Sequence, residues 1–151
     1  MRARAALLLA LLLATVAAGC GSKQDHGDYV KALNQAQADL ARRFDALQQR
    51  VTPTSSARQD RKTLTAYAAA VRKAVADLQA VQPPSGLATL HRRFVAQVGD
   101  YGTALRTARG DLGAEDPQKI LAAQGRLRTA VARTGTRLNA TVQAINQKLK
   151  G

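Results

Sequence analysis

The sequence predicts an all-α protein, folded as an antiparallel up-down-up-down four-helix bundle. Four segments place apolar residues at alternating spacings of three and four, which aligns them on one helix face. Proline, glycine and serine separate these segments, and short connections favour antiparallel neighbours. Aromatic residues make up only 3% of the chain, and we find no strand pattern.

The first two helices are bounded by local signals. Asp28 is a good N-cap, and Pro53 forces the first helix to end before it. The apolar face of this helix is Tyr29, Leu33, Ala36, Leu40, Phe44, Leu47 and Val51. Ser56 and Gln59 have capping-box spacing at the start of the second helix. Its apolar face is Leu64, Tyr67, Val71, Ala74, Val75 and Leu78.

The last two helices follow a break at residues 82–86. We expect Ser85 to cap the third helix and Gly110 to end it. Its apolar face is Leu87, Leu90, Phe94, Val98, Tyr101, Leu105 and Ala108. Asp116 followed by Pro117 is typical of a helix start and opens the fourth helix. Its apolar face is Ile120, Leu127, Val131, Leu138, Val142, Ile145 and Leu149.

The beginning of the chain has the layout of a secretory signal peptide. Arg2 and Arg4 precede an apolar run from Ala5 to Ala18. A run of about 14 residues is shorter than the roughly 18–20 that a permanent membrane span requires. We therefore expect a signal peptide over residues 1–19, Cys20 with a polar tether over 20–27, and the bundle over 28–150.

Cys20, the only cysteine, follows small residues. The run Ala17-Ala18-Gly19-Cys20 resembles the lipobox of bacterial lipoproteins, although the family usually has Leu, Val or Ile where Ala17 stands. The resemblance covers residues 1–20 and implies a lipid on the Cys20 thiol, usually with a further acyl chain on its amino group. The alternative is ordinary cleavage after Ala18, which would leave one unpaired thiol in a secreted protein.

The composition argues against catalysis and cofactors. Glu115 is the only glutamate, so the inward Glu residues and Glu-x-x-His pairs of a di-iron bundle are missing. No GxSxG elbow or glycine-rich phosphate loop is present. We expect His26, in the tether, and His91, beside the third apolar face, to be solvated. We expect Tyr29, Tyr67 and Tyr101 to fill the core, and the pairs Asp39/Arg43 and Lys73/Asp77 to form on helix surfaces.

The charge favours an anionic partner. The net charge of +13 falls to +11 when Arg2 and Arg4 are removed with the signal peptide. The fourth helix has no acidic residue, and five of its basic residues share an arc of about 60°. This basic stripe is Lys119, Arg126, Arg133, Arg137 and Lys148. It is either a contact surface for anions or a set of long side chains covering the edge of a thin core. The overall charge is open to a second interpretation, the base composition of the genome.

Two functions are compatible with these observations. The first is a non-enzymatic, monomeric lipoprotein without cofactor or metal, anchored through Cys20 to the outer face of the cell membrane or in the periplasm. There its bundle would be an interaction or structural module for anionic lipid headgroups, wall polymers or an acidic protein. The second is a sensor or carrier that binds a small ligand in a groove between helices. Export argues against nucleic acid, and no aromatic stacking platform is evident.

Overall fold

The computed structural model describes residues 23–48, 56–111 and 117–150. It contains four helices: α1 Lys23–Gln48, α2 Ala57–Gln79, α3 Ala88–Asp111 and α4 Pro117–Lys150. No strand occurs in these ranges, and each helix packs against the next along the chain. The fold is therefore the all-α, up-down-up-down four-helix bundle that the sequence predicts. None of these helices combines the length and the apolar character needed to cross a membrane.

Helix α1 begins earlier than predicted. It starts at Lys23, so residues 23–27 are helical and the predicted tether over 20–27 and helix start at Asp28 are wrong in this part. The prediction gave too much weight to Gly27, because one glycine inside a helix costs only about 1 kcal/mol. The first turns also pack, since His26 is half-buried and Tyr29 is buried. The predicted end near Pro53 lies outside the described residues.

Helix α2 begins as its local sequence predicts. The Gln59 backbone N–H donates to Ser56 Oγ at 3.3 Å, and the Ser56 backbone N–H donates to Gln59 Oε1 at 2.9 Å. This reciprocal pair is the predicted capping box. The predicted ion pair between Lys73 and Asp77 is also confirmed, with 2.6 Å between Nζ and Oδ1.

The other predicted surface ion pair forms with a different arginine. Asp39 pairs with Arg42 and not with the predicted Arg43. Residues three apart and four apart are both neighbours on a helix surface, so the sequence alone leaves the choice open.

Helix α3 begins at Ala88, two residues later than a cap at Ser85 would give. Gly86 has a φ of +83°, a left-handed conformation that glycine adopts without steric cost and that a helix cannot include. The Leu87 backbone N–H donates to Pro84 O at 3.1 Å, and Leu87 O accepts the first helical bond from His91 N at 2.9 Å. Leu87 therefore stands in the capping position. The helix ends at Asp111, one residue beyond Gly110, and α4 begins at Pro117 as predicted.

The core runs through all four helices and is built largely from small and aliphatic side chains. Every predicted apolar-face residue whose burial is described is buried or half-buried. The buried core includes Ala36, Ala68, Ala70, Ala74, Ala108 and Ala123. Close backbone approaches join α1 to α2, α2 to α3 and α3 to α4, whereas α1 and α4 approach each other less closely.

Gly102 allows the close approach of α2 and α3. A Cβ atom at this position would lie 3.1 Å from Cγ1 of Val71, which is 1% exposed. Val71 Cγ1 would have to shift by a few tenths of an ångström, in a core that is already packed near the density of organic crystals.

We predict that Gly102→Leu lowers the free energy of unfolding by about 1–3 kcal/mol, because the added side chain overpacks the α2–α3 contact. Gly125→Leu is the matched control, since nothing lies within 4 Å of a Cβ there and helix propensity improves by about 1 kcal/mol. Urea unfolding followed by circular dichroism measures both. Equal stability of the two variants would contradict the close approach.

Candidate functional site

The basic stripe lies along one edge of α4. All five of its residues, Lys119, Arg126, Arg133, Arg137 and Lys148, are exposed. The core-facing side of α4 is marked by Ala123, Thr134, Thr141, Ile145 and Leu149, which are buried. The stripe therefore borders the core face, on the side turned towards α3, because two of its arginines contact that helix.

Those two arginines form ion pairs with carboxylates of α3. Arg126 Nη2 lies 2.8 Å from Asp111 Oδ2, and Arg137 Nη2 lies 3.0 Å from Asp100 Oδ2. Because α4 contains no acidic residue, the sequence predicts that no carboxylate neutralises the stripe. This prediction is wrong for Arg126 and Arg137. Sequence reasoning missed the pairs because helical periodicity relates residues within a helix and carries no information on the register between helices.

The remaining three residues of the stripe, Lys119, Arg133 and Lys148, have no ion pair within the described ranges. The two paired arginines are also accessible, since the side chains of Arg126 and Arg137 keep 60% and 47% of their exposed area. Exposed pairs of this kind contribute only about 0–1 kcal/mol, so an external anion could replace Asp111 or Asp100 at small cost. The edge can thus present five cations to an extended polyanion.

The second chemical feature is a buried polar network around His91. This residue is 5% exposed, so the prediction that it is solvated is wrong. Its Nε2 lies 3.0 Å from Leu78 O, and its Nδ1 lies 3.2 Å from Tyr29 OH. Because a carbonyl oxygen only accepts, we assign the proton to Nε2, which leaves Nδ1 to accept from Tyr29. The network joins α1, α2 and α3.

Burial controls the ionisation of this network. Desolvation lowers the pKa of His91, and the hydrogen bond to the Leu78 backbone opposes that shift. Burial raises the pKa of Tyr29 to about 12. Both rings are therefore neutral near pH 7 and meet edge-on, with 5.7 Å between their centroids. Since both nitrogens of His91 are occupied, neither is free to bind a metal ion or take a proton from a substrate.

A weak signal for the burial of His91 was present in the sequence. His91 lies four residues after Leu87 and four before Val95, both of which are buried. The predicted face included Leu87 but continued through Leu90 and Phe94, and so left out His91 and Val95. Helix α3 packs on both α2 and α4, so its buried face is wider than a single stripe.

The predicted aromatic core residues form a second contact between helices. The Phe44 ring meets Tyr67 edge-on at a centroid distance of 4.7 Å and lies 5.7 Å from the Tyr101 ring. Tyr67 OH donates to Phe44 O at 3.3 Å, and burial raises the pKa of Tyr101 to about 12. The prediction that Tyr29, Tyr67 and Tyr101 fill the core is confirmed, because the first is buried and the other two are half-buried.

Further polar groups lie inside the bundle and were not predicted. Thr134 and Thr141 are buried on the core-facing side of α4 and are seven residues apart, which places them on one face. Gln97 of α3 is 9% exposed, and its Oε1 is buried without a hydrogen-bond partner. His26 Nδ1 is also buried without a hydrogen-bond partner. A buried acceptor without a partner loses hydration that nothing in the protein replaces.

Within the described part of the chain, no three His, Cys, Asp or Glu side chains come together as a metal site requires. Comparison with protein-family models, with curated proteins and with solved structures finds no match to this chain.

We predict that the free energy of unfolding decreases as the pH falls below about 6.5, the ordinary pKa of histidine. The folded state holds His91 with a lowered pKa, so the unfolded chain binds a proton that the native protein does not. His91→Gln should flatten this dependence, whereas the control His26→Gln should retain it. Urea unfolding between pH 5 and 8 provides the measurement, and a flat profile for the unsubstituted protein would contradict the assignment.

Proposed function

We propose that this protein is a membrane-anchored bacterial lipoprotein whose basic helical bundle is a non-enzymatic interaction or structural module at the cell envelope. The observation that carries the interaction role is the exposed basic stripe, in which Lys119, Arg133 and Lys148 have no ion pair among the described residues. Its partners are anionic lipid headgroups, acidic wall polymers or an acidic protein.

The anchor in this proposal is Cys20, which lies outside the described residues and is supported by the lipobox resemblance of Ala17–Cys20. Two acyl chains hold a protein stably at a membrane, whereas one gives marginal and reversible binding. We place the protein at the outer face of the cell membrane or in the periplasm, as a monomer without nucleic-acid partner or cofactor.

A role without catalysis is favoured by the state of the titratable groups inside the bundle. His91 has both ring nitrogens engaged by Tyr29 and Leu78. A general base needs a free lone pair within hydrogen-bond reach of substrate. Tyr29 and Tyr101, with pKa values raised to about 12, hold their protons more firmly than free tyrosine.

The second candidate is a carrier or sensor for a small ligand. The observation that favours it is the buried Oε1 of Gln97, which lacks a hydrogen-bond partner. A ligand with an N–H or O–H donor would satisfy this acceptor. Native mass spectrometry of protein purified from its own membrane distinguishes the two candidates, because a carrier would retain a stoichiometric small molecule.

We predict that Cys20→Ser removes acyl labelling and releases the protein from the membrane fraction, because the thiol that receives the lipid is gone. Metabolic labelling with a fatty acid, followed by membrane fractionation, measures both effects. If the variant stays in the membrane with its first nineteen residues uncleaved, the lipoprotein proposal fails.

We predict that an acidic wall polymer binds the mature Cys20→Ser chain and that binding weakens as salt rises, because counterions screen exposed charges. The triple variant Lys119→Glu, Arg133→Glu and Lys148→Glu should weaken binding by about tenfold or more. These three positions avoid the arginines that pair with α3, so helix packing is preserved.

The matched control is Lys31→Glu, Arg43→Glu and Lys62→Glu, which changes the same residue types at exposed positions of α1 and α2. Titration of the polymer by calorimetry or fluorescence compares the two variants at equal net charge. Equal losses would mean that diffuse charge attracts the polymer and that the stripe is only a packing edge.

A further inference from the structure

One end of the bundle gathers the start of α1, the connection between α2 and α3, and the last turn of α4. The hydrogen bonds from Tyr29 to His91 and from His91 to Leu78 join the start of α1, the end of α2 and the start of α3. Helix α4 runs antiparallel to α3, because Asp111 pairs with Arg126 and Asp100 with Arg137. The last turn of α4 therefore lies beside the start of α3. We call this end the anchor end.

The chain limits how far the anchor end can be from Cys20. Only Gly21 and Ser22 stand between Cys20 and Lys23, the first residue of α1. An extended chain advances at most about 3.6 Å per residue, so three steps span about 11 Å. This limit is shorter than the reach of the tether predicted from the sequence over residues 20–27. A lipid on Cys20 would hold the start of α1 within about 11 Å of the membrane surface, close to the Debye length of about 8–10 Å.

Four exposed cations lie in the parts of α3 and α4 that form the anchor end. These anchor-end cations are Arg92 and Arg93 near the start of α3, and Lys148 and Lys150 in the last turn of α4. At 1.5 Å per residue, each lies within about 8 Å of its helix end. The connection over residues 80–87 contains no charged residue. Arg92 Nη2 donates to Thr89 Oγ1 at 3.2 Å, and none of the four has an ion pair within the described ranges.

Carboxylates near the anchor end are few among the described side chains. Asp28 is exposed in α1, and Asp77 near the end of α2 is neutralised by Lys73 at 2.6 Å. The opposite end is at least as basic, with exposed Lys62, Arg106, Arg109 and Lys119. Charge alone therefore does not distinguish the ends. The two ends differ in their distance from Cys20, since Arg109 lies about 32 Å along α3 from the first residue of that helix.

We infer that the anchor-end cations bind anionic phospholipid headgroups and orient the bundle with its helices rising from the membrane. This inference rests on the proposed lipid anchor at Cys20. Attraction of a Lys or Arg to an anionic surface decays within one Debye length of about 8–10 Å, so only the cations nearest the anchor contribute. The middle and far parts of the basic stripe then stand clear of the membrane, where a soluble partner reaches them.

The test uses the full lipidated protein, reconstituted in vesicles of phosphatidylglycerol with phosphatidylethanolamine and, for comparison, of phosphatidylcholine. Amine acylation, followed by mass spectrometry, reports the reactivity of each lysine. On the anionic vesicles we expect Lys148 and Lys150 to react about fivefold more slowly than on the neutral vesicles, corresponding to about 1 kcal/mol. Lys62 and Lys119 should react equally on both. Equal slowing at the two ends, or slowing at neither, would overturn the inference.

Matched neutralising variants provide the second measurement. The anchor-end variant carries Arg92→Gln, Arg93→Gln, Lys148→Gln and Lys150→Gln. The control carries Arg106→Gln, Arg109→Gln, Lys62→Gln and Lys119→Gln, and it matches the first in residue types and in loss of an Arg–Thr contact, since Arg106 donates to Thr103 at 2.9 Å.

Energy transfer from a dye at Gln147→Cys to headgroup-labelled phosphatidylglycerol measures the enrichment of anionic lipid around the protein. We expect the anchor-end variant to lose this enrichment and the control to keep it. Loss in both variants, or in neither, contradicts the inference and leaves the lipoprotein proposal standing. If the purified protein carries no acyl chain on Cys20, the proposed function fails and this inference fails with it.

Discussion

The need to satisfy both nitrogens of a buried imidazole determines how the first three helices meet. His91 of α3 is almost fully enclosed, so each of its ring nitrogens requires a partner inside the protein. Tyr29 of α1 and the carbonyl of Leu78 in α2 supply them. A rotation or slide of any of these helices would break one hydrogen bond and leave a buried polar atom behind. In a core rich in alanine, this requirement specifies geometry that small side chains alone do not.

The remaining helix is positioned by different means. Helix α4 packs its Leu127, Leu138 and Ile145 side against the bundle, and its arginines reach Asp100 and Asp111 on α3. These pairs are exposed and individually weak, so apolar burial provides most of the attachment. The same arginines stand on the proposed contact surface. The same helix edge therefore both contacts α3 and carries the proposed contact surface.

Local chemistry explains which features the sequence could predict. The capping box at Ser56 and the helix start at Pro117 depend on neighbours a few residues away, and both were predictable. The starts of α1 and α3 were not, because Gly27 is tolerated inside a helix while Gly86 takes a left-handed conformation. The burial of His91 and the partners of the α4 arginines depend on contacts between helices. Periodicity within one helix contains no information on those contacts.

The two ion pairs between α3 and α4 also act as a register check. Asp100 and Asp111 are eleven residues apart, as are Arg126 and Arg137, so each set spans about three helical turns. Sliding α4 by one turn would bring Arg133 opposite Asp100, but Asp111 would then face Ala122. Both carboxylates would be satisfied again only after a slide of eleven residues, which sets Arg137 opposite Asp111 and Lys148 opposite Asp100. The two pairs therefore disfavour a hairpin that is misaligned by one turn, even though the α4 edge carries five basic residues.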